Sequence, residues 1–209
     1  MHDLDQLSEQ EIAKRLTHNT KLTYDIPLLQ AETQYRLAGV LIPFIRVDDS
    51  WHLLFIRRAE ARNDRHSGQV AFAGGGHEQH DKDLFDTALR EAHEEIGIAP
   101  EDVRILGHLN HHHSVSNYRI TPVVGHIPWP YSLKLQTSEV QRAFSIPLHW
   151  LADPANHEIR YRELPQNKQR AAIAYFREYD GEILWGATAR MTLSLLECLR
   201  RDSPECQAR

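Results

Sequence analysis

The sequence predicts a single α/β domain built around a mixed β-sheet. Segments with strand-like and helix-like hydrophobic patterns are interspersed along the chain, but without the regular strand–helix–strand alternation of a purely parallel sheet. No internal repeat or low-complexity linker divides the 209 residues, a length that one domain accommodates. Hydrophobic residues make up 41% and charged residues 25% of the chain, a balance typical of a globular protein with a buried core.

The first half of the chain is predicted to contain two helices separated by a hairpin and a loop. Ser8, followed three residues later by Glu11, is a capping pattern that predicts the start of an N-terminal helix. Two strand-like stretches are joined by residues 48–50, whose Asp-Asp-Ser sequence is typical of a hairpin turn. Gly97 predicts the end of the second helix. The predicted elements are, in order, a helix at 8–18, strands at 35–46, 51–57 and 69–72, and a helix at 83–96.

The second half is predicted to contain further strands and a C-terminal helix. Asp180 and Gly181 are typical turn residues, and the run after them indicates a short strand followed by a helix. We expect one domain over residues 35–200, with an N-terminal helical extension (1–34) packed on it and a C-terminal tail (201–209). The remaining predicted elements are strands at 103–109, 120–127 and 173–179, and a strand and helix within 183–201.

The charge and hydropathy of the chain argue against nucleic-acid and membrane partners. The formal net charge is −5 and the sequence shows no basic stripe, so we expect no general attraction to nucleic acid or anionic lipid. The sequence has no run of about 18 apolar residues, and its acidic start is unlike a secretory signal. Cys198 and Cys206 are expected to be reduced thiols, which makes a cytoplasmic location the expectation.

Residues 74–98 carry the pattern with the most chemical information. On a helix, Glu91, Glu94 and Glu95 are spaced i, i+3 and i+4 and therefore share one stripe about 100° wide. Three carboxylates so close together repel one another unless water or a cation screens them, and oxygen ligands of this kind suit Mg²⁺ or Mn²⁺. The opposite side of the helix carries the apolar residues expected to face the core: Phe85, Leu89, Ala92 and Ile96.

A solvated acidic helix face is the alternative interpretation of the same glutamates. Such faces are common, and the spacing alone does not exclude one. Two neighbouring features favour a metal site. The glycines at 74–76 let backbone groups approach a ligand, and Arg90 can orient a carboxylate through paired hydrogen bonds.

Residues 90–98 resemble the second half of the Nudix signature, Arg-Glu-hydrophobic-x-Glu-Glu-x-Gly-hydrophobic, at each defining position. The first half departs from the family pattern. Asp81 stands where a glutamate is usual, and eight residues rather than seven separate it from Arg90. The resemblance therefore assigns no metal role to Asp81 or Glu78.

The Nudix resemblance implies an α/β/α sandwich, with a mixed sheet between helices, and a metal-dependent hydrolase. In such an enzyme, water attacks a phosphorus of a nucleoside diphosphate linked to another moiety, so a small-molecule nucleotide substrate is implied. By the same resemblance, Arg90 orients the glutamates. The implied metal-binding groups are Glu91, Glu94, Glu95 and the backbone of Gly75. The candidate catalytic residues are Arg90, Glu94, Glu95 and Glu139.

A closer resemblance, to the coenzyme A pyrophosphatases of this family, extends over roughly residues 36–200. The loop before the signature departs from that subfamily, since Ala73 replaces a proline and Asp64 stands where an arginine is expected. The candidate substrate contacts are Arg58, Arg65, Gly74 and Tyr118. The matching segments are GQVAFAGG at 68–75, Tyr118, TPVVG at 121–125, SEV at 138–140 and WGATA at 185–189.

Three further features each have a structural and a functional interpretation. Glu139 is a candidate general base reaching in from a loop, and equally a candidate cap for a helix that begins with EVQRAF. Trp185 is expected to be structural, with Gly186 allowing close packing that the indole fills. The histidines at 111–113 are interpreted as loop or site-lining residues, because neighbours on a strand point to opposite faces and rarely share one ion.

Coenzyme A or an acyl derivative is the leading substrate, cut to 3′,5′-ADP and a 4′-phosphopantetheine product. The two departures in the loop support an alternative, namely ADP-ribose, a dinucleotide or a nucleoside triphosphate. A catalytically silent nucleotide-binding module is a third interpretation, and the retained arginine and three glutamates argue against it. A homodimer is left open.

Overall fold

The computed structural model describes residues 4–17, 35–60, 67–114, 116–163 and 170–200. Arg65, Asp64 and Cys206 lie outside these residues. The helices are α1 (Glu9–Thr17), α2 (Leu84–Ile96), α3 (Leu148–Ala152) and α4 (Gly186–Arg200). The strands are β1 (Arg36–Val47), β2 (Ser50–Arg58), β3 (Val70–Ala71), β4 (Gly74–Gly76), β5 (Arg104–His108), β6 (His112–His113), β7 (Tyr118–His126), β8 (Val140–Pro147), β9 (His157–Glu163) and β10 (Arg170–Phe176).

Eight of the described strands form one mixed sheet. Strand β1 lies at its centre, antiparallel to β2 and β4 and parallel to β7. Strand β2 also pairs with β3 and β8, whereas β7 also pairs with β5 and β6. Strands β9 and β10 form a separate antiparallel pair. The structure confirms the prediction of a mixed α/β fold.

Helices cover both faces of the large sheet. Successive residues of β1 alternate between two apolar clusters, as the two-residue period of a strand requires. Leu41 and Ile45 pack with Ala88 and Ala92 of α2 on one face. On the other face, Ile42 and Phe44 belong to the cluster that contains buried residues of α1 and α4. The sheet is therefore the middle layer of a helix–sheet–helix sandwich.

Helix α2 begins and ends where its sequence predicts. The Asp83 side chain accepts hydrogen bonds from the backbone N–H groups of the first turn, and Gly97 ends the helix with φ 72°. The helix approaches β1 closely, because a Cβ added to Gly39 would lie 2.3 Å from the Leu84 carbonyl oxygen. Leu89 of the predicted apolar side is only partly buried, whereas Ala88 is fully buried. The absence of a side chain at Gly39 thus allows α2 to pack this closely against the sheet.

Two predicted turns are present and several elements were missed. Asp48 and Asp49 have positive φ and join β1 to β2, while Asp180 and Gly181 form a second tight turn. The strand predicted after it is limited to isolated bridges. The elements that the sequence did not predict are β4, β6, β8, β9 and α3.

The expectation for Gly186 was wrong. Its added Cβ would meet no atom within 4 Å, so close packing does not require a glycine there. The φ of 65° does favour one, because left-handed backbone is costly for residues that carry a Cβ. Trp185 is 37% exposed and stacks on Tyr175, with ring centroids 5.8 Å apart.

Among the described helices, none is long and apolar enough to cross a bilayer.

Candidate active site

The glycine strand β4 lies directly against two glutamates of α2. The Gly74 N–H donates a hydrogen bond to Glu95 Oε2 at 3.0 Å. A Cβ added to Gly75 would lie 2.5 Å from Glu91 Oε1 and 2.8 Å from Glu91 Oε2. Because β4 carries no side chains, it leaves the space in which both carboxylates lie. The glycine-rich turn is therefore in direct contact with the glutamates, which the sequence alone did not predict.

We expect Gly75→Ala to lower turnover by about 100-fold without unfolding the protein. The new methyl group would overlap the Glu91 carboxylate and displace it, and a misplacement of about 1 Å in a catalytic site costs on the order of 10²-fold. Gly76→Ala is the matched control, because a Cβ there meets nothing within 4 Å. Steady-state rates and melting temperatures of both variants test this, and equal rates for the two would contradict it.

Arg90 holds the acidic groups of this region together. Its Nη1 lies 3.0 Å from both Glu91 Oε1 and Glu94 Oε2. Its Nε and Nη2 donate to the two oxygens of Asp81 at 2.8 and 3.1 Å, and Nη2 also donates to the Gly76 carbonyl at 3.1 Å. One guanidinium thereby connects β4, the loop before α2 and the helix itself, as expected of a group that orients the glutamates.

Asp81 is an anchor for Arg90 that the sequence analysis missed. Its side chain is 1% exposed and also accepts hydrogen bonds from Thr87 Oγ1 at 2.8 Å and from the Glu78 N–H at 2.9 Å. The Arg90 guanidinium, aided by these donors, holds the pKa of Asp81 well below its usual range. With its oxygens committed in this way, Asp81 is better suited to fixing Arg90 than to binding a metal. The sequence feature that could have indicated this role is the acidic residue itself, two positions before the helix cap Asp83.

The three glutamates of the helix stripe have different environments. Glu95 is 2% exposed, and burial raises its pKa to about 7. Burial also raises the pKa of Glu91. The side chain of Glu94 is 56% exposed and contacts Arg90. A buried and a partly buried carboxylate with raised pKa values, close to a third, form a region that a cation would stabilise.

Arg58 and Glu139 approach the same region from the end of β2 and the start of β8. Arg58 Nη1 lies 3.8 Å from Glu95 Oε1. The negative charge of Glu139 is among the influences that raise the pKa values of Glu91 and Glu95. The alternative role of Glu139 as a helix cap was wrong, because strand β8 begins at Val140. Arg58 and Glu95 are thus brought together from β2 and α2, and the charge of Glu139 acts on the glutamates from the residue before β8.

The donor set of this region fits a hard divalent cation. Its side chains offer carboxylate oxygens, which Mg²⁺ and Mn²⁺ prefer over nitrogen or sulfur. Within the part of the chain that the structure describes, no three acidic, histidine or cysteine side chains converge on one point as they would around a bound ion. The Glu94 carboxylate is instead turned towards Arg90.

The other predicted residues lie on or beside β6 and β7 or outside the described residues. Tyr118 begins β7, and the Arg36 guanidinium lies 4.1 Å from the centre of its ring. A substrate base could therefore stack only on the other face of that ring. His112 and His113 form β6 at the sheet edge, where His113 contacts Tyr35. The placement of Arg65 is not described.

Comparisons with known proteins agree with the fold and with the motif. Residues 35–167 match the family model described as NUDIX domain. An uncharacterized Nudix hydrolase, NudL, of Pectobacterium atrosepticum is 40% identical over 164 residues, which cover 78% of this chain and 82% of the relative. NudL of Photorhabdus laumondii, also described as uncharacterized, is 36% identical over 162 residues, covering 78% and 84%. A solved structure, a MutT/nudix family protein from Enterococcus faecalis, matches with TM-score 0.53 and 12% identity over 96% of this chain and 78% of that one, a likeness of fold alone.

Proposed function

The chain belongs to the Nudix hydrolase family and is a pyrophosphohydrolase of a nucleotide-linked substrate, and we propose that this substrate is coenzyme A or an acyl-coenzyme A. Water would add across the phosphoanhydride: its oxygen bonds to one phosphorus, the bridging P–O bond breaks, and the protons remain with the phosphate products or pass to solvent. The products are 3′,5′-ADP and 4′-phosphopantetheine, or its acyl form.

The observation that carries the substrate assignment is the run GQVAFAGG at 68–75, which resembles the coenzyme A subfamily. This run leads directly into β4, whose Gly74 and Gly75 contact Glu95 and Glu91. The segment that resembles the coenzyme A subfamily is therefore continuous in the chain with the glycines that contact the glutamates. Ala73 is buried and its carbonyl accepts a hydrogen bond from the Leu41 N–H, so the loop keeps a defined place in the sheet without the subfamily's proline.

The family uses divalent metal ions, and we propose Mg²⁺ or Mn²⁺ for this chain. Glu91, Glu94 and Glu95, with the backbone of Gly75, would hold them. Bound cations neutralise the bridging phosphates and lower the pKa of a bound water. Arg90 keeps Glu91 and Glu94 in place through its shared Nη1 donor.

The remaining roles concern the proton and the substrate. Glu139 is exposed and near the buried glutamates, so it is our candidate for accepting the proton of the attacking water. Arg58 would place a positive charge next to a substrate phosphate, and the Gly74 backbone would border it. Arg65 and Tyr118 are proposed as further substrate contacts.

Product analysis tests the substrate. The protein is incubated with coenzyme A, ADP-ribose and NADH, each with Mg²⁺ or Mn²⁺, and the products are identified by liquid chromatography and mass spectrometry. We expect metal-dependent release of 3′,5′-ADP from coenzyme A, and no release by a Glu94→Gln, Glu95→Gln double variant. Reaction in ¹⁸O-labelled water also shows which phosphorus is attacked, because the label enters that product.

The departures in the loop define the competing outcome. Ala73 and Asp64 replace residues of the coenzyme A pattern, so cleavage of ADP-ribose or NADH in place of coenzyme A would overturn the substrate assignment and leave the Nudix chemistry intact. Failure to cleave any of the three compounds under either metal would contradict the coenzyme A proposal outright.

A further inference from the structure

Two arginines face each other across the pair of strands that leads into the active site. Arg57 of β2 and Arg142 of β8 are direct partners in the antiparallel register. They follow the Phe55–Phe144 pair on the same face of the sheet, the face that α4 covers. Like charges directly opposite each other destabilise a strand pair. This pair therefore needs a compensating negative charge.

Glu182 supplies that charge from the turn before α4. Its side chain is 6% exposed, with Oε2 2.9 Å from Arg57 Nη1 and Oε1 3.5 Å from Arg142 Nη1. The tight turn at Asp180–Gly181, closed by backbone hydrogen bonds of 2.9 and 3.0 Å between Tyr179 and Glu182, presents the side chain. Exposed carboxylates add weaker partners: Asp180 pairs with Arg142, and Glu60 lies 3.9 Å from Arg57.

The strand ladder shifts its register immediately beyond this cluster. Arg57 pairs with Arg142, but Arg58 pairs with Val140, so Gln141 is the extra residue of a bulge. Arg57 Nε donates to Gln141 Oε1 at 3.0 Å and so holds the bulged residue as well. Bulges next to active sites re-aim the side chains that follow them. The residues next to this bulge are Arg58 on β2 and Glu139 before β8.

The bulged end of the strands carries Arg58 and Glu139. Arg58 points to the opposite face from Arg57 and lies 3.8 Å from Glu95. Glu139 immediately precedes Val140, and its carbonyl accepts a hydrogen bond of 2.7 Å from the Ala59 N–H. A shift of one residue in this ladder would move the Arg58 side chain away from Glu95 and displace Glu139.

We propose that Glu182 is a positioning residue of the active site, which neutralises the Arg57–Arg142 pair and thereby holds the bulged end of β2 and β8 that places Arg58 beside Glu95 and carries Glu139. The consequence for catalysis rests on the proposed function, whereas the positioning itself does not. Glu182 acts from the far face of the sheet and contacts no part of the glutamate cluster among its described partners.

The test combines amide hydrogen exchange, followed by NMR, with turnover of the substrate that the wild type hydrolyses. In Glu182→Gln we expect exchange of the Ala59 amide to accelerate about tenfold or more, because its bond to Glu139 opens locally. The Ile127 amide, which donates to Phe44 in a distant part of the sheet, should keep its wild-type rate. Turnover should fall by about tenfold, equivalent to roughly 1.4 kcal/mol of activation free energy.

Two further variants separate positioning from general packing. Asp180→Asn removes only the exposed partner of Arg142 and should match the wild type in exchange and turnover. Adding Arg142→Gln to Glu182→Gln removes the facing like charge and should restore most of the Ala59 protection and of the turnover. A chain that folds with both changes but not with Glu182→Gln alone would also support the proposal.

Several outcomes would overturn it. These are unchanged Ala59 exchange in Glu182→Gln, faster exchange at Ile127 to the same degree, an equal effect of Asp180→Asn, or no recovery in the double variant. A wild-type protein that cleaves no pyrophosphate would contradict the proposed function instead. The exchange rates of Ala59 would still decide whether Glu182 positions the strand end.

Discussion

Glu95→Gln is expected to lower pyrophosphate hydrolysis by at least about 10³-fold while leaving the melting temperature of the metal-free protein unchanged or higher. The loss follows from the proposed metal role, since about 4 kcal/mol of transition-state stabilisation corresponds to that factor. The variant is expected to lose activity without losing stability because the Glu95 carboxylate is buried. Burial raises the pKa of Glu95 to about 7, so the folded protein favours the neutral form. Glutamine is neutral and can still accept the Gly74 N–H.

The pH dependence of this stability difference has a definite sign. A carboxyl group whose pKa is raised on folding binds more protons in the folded than in the unfolded state, so its ionisation destabilises the fold as pH rises. For Glu95 the window runs from its ordinary value of 4.5 to about 7. The melting temperature of Glu95→Gln should therefore exceed that of the wild type by more at pH 8 than at pH 5.

Calorimetry after EDTA treatment and steady-state rates with added Mg²⁺ or Mn²⁺ measure both parts. Glu101→Gln is a suitable control, because it removes an exposed glutamate outside α2 and should change neither quantity. Turnover within tenfold of the wild type would remove Glu95 from the metal site. A lower melting temperature would show that its carboxylate stabilises the metal-free fold.

Local signals were sufficient for the parts of the fold that depend on neighbouring residues. The cap at Asp83 and the glycine at position 97 lie within one turn of the helix ends they determine. The turns at 48–49 and 180–181 likewise depend on residues that tolerate positive φ. These elements, with the resemblance to the family motif, were enough to predict the mixed α/β sandwich and the helix that carries the glutamates.

The missed strands are decided by their pairing partners, which for β4 and β8 lie far away in the chain and for β6 and β9 are the next strand along it. Strand β4 consists of glycines and has no side-chain pattern, so only its pairing with β1 makes it a strand. Strand β9, with sequence HEIRYRE, is largely exposed, and Ile159 is its residue packed against the core. The helix-cap alternative for Glu139 arose because acidic residues favour helix starts, whereas pairing with β2 decides that a strand follows.

Helical periodicity identified the glutamate stripe but not the differences within it. Glu95 lies at the contact between helix and sheet and is buried, whereas Glu94 lies towards solvent. A stripe about 100° wide spans both environments, so spacing alone cannot assign the burial of each carboxylate. The Asp81–Arg90 pair was missed for a related reason, since it requires the loop before α2 to fold back over the helix.

Arg90→Gln is expected to lower the free energy of unfolding by about 3–5 kcal/mol and also to lower turnover strongly. Removing one partner of a buried ion pair leaves the other charge uncompensated, and Asp81 is 1% exposed. Urea denaturation at pH 7 measures the first effect. Arg104→Gln is the control, because this arginine is largely exposed in its pair with Glu9 and should contribute no more than about 1 kcal/mol.

Acid should weaken this contribution in a predictable direction. The pKa of Asp81 lies below its ordinary value of 3.8, so the ion pair contributes fully above that value and loses its contribution as pH falls through the folded-state pKa. The stability gap between the wild type and Arg90→Gln should therefore be largest near pH 7 and narrow as pH falls, first as the uncompensated Asp81 of the variant takes up a proton and then as the wild-type carboxyl does. A gap that does not narrow down to pH 3 would mean that Asp81 is not the group responsible.

The double variant Asp81→Asn, Arg90→Gln separates the two roles of Arg90. Removing both charges leaves no uncompensated carboxylate, so most of the lost unfolding free energy should return. Turnover should not return, because Glu91 and Glu94 still lack the Nη1 donor that they share. Recovery of both quantities would mean that Arg90 serves only as the partner of Asp81. Recovery of stability alone would show that the same guanidinium also orders the carboxylates that we propose to bind the metal.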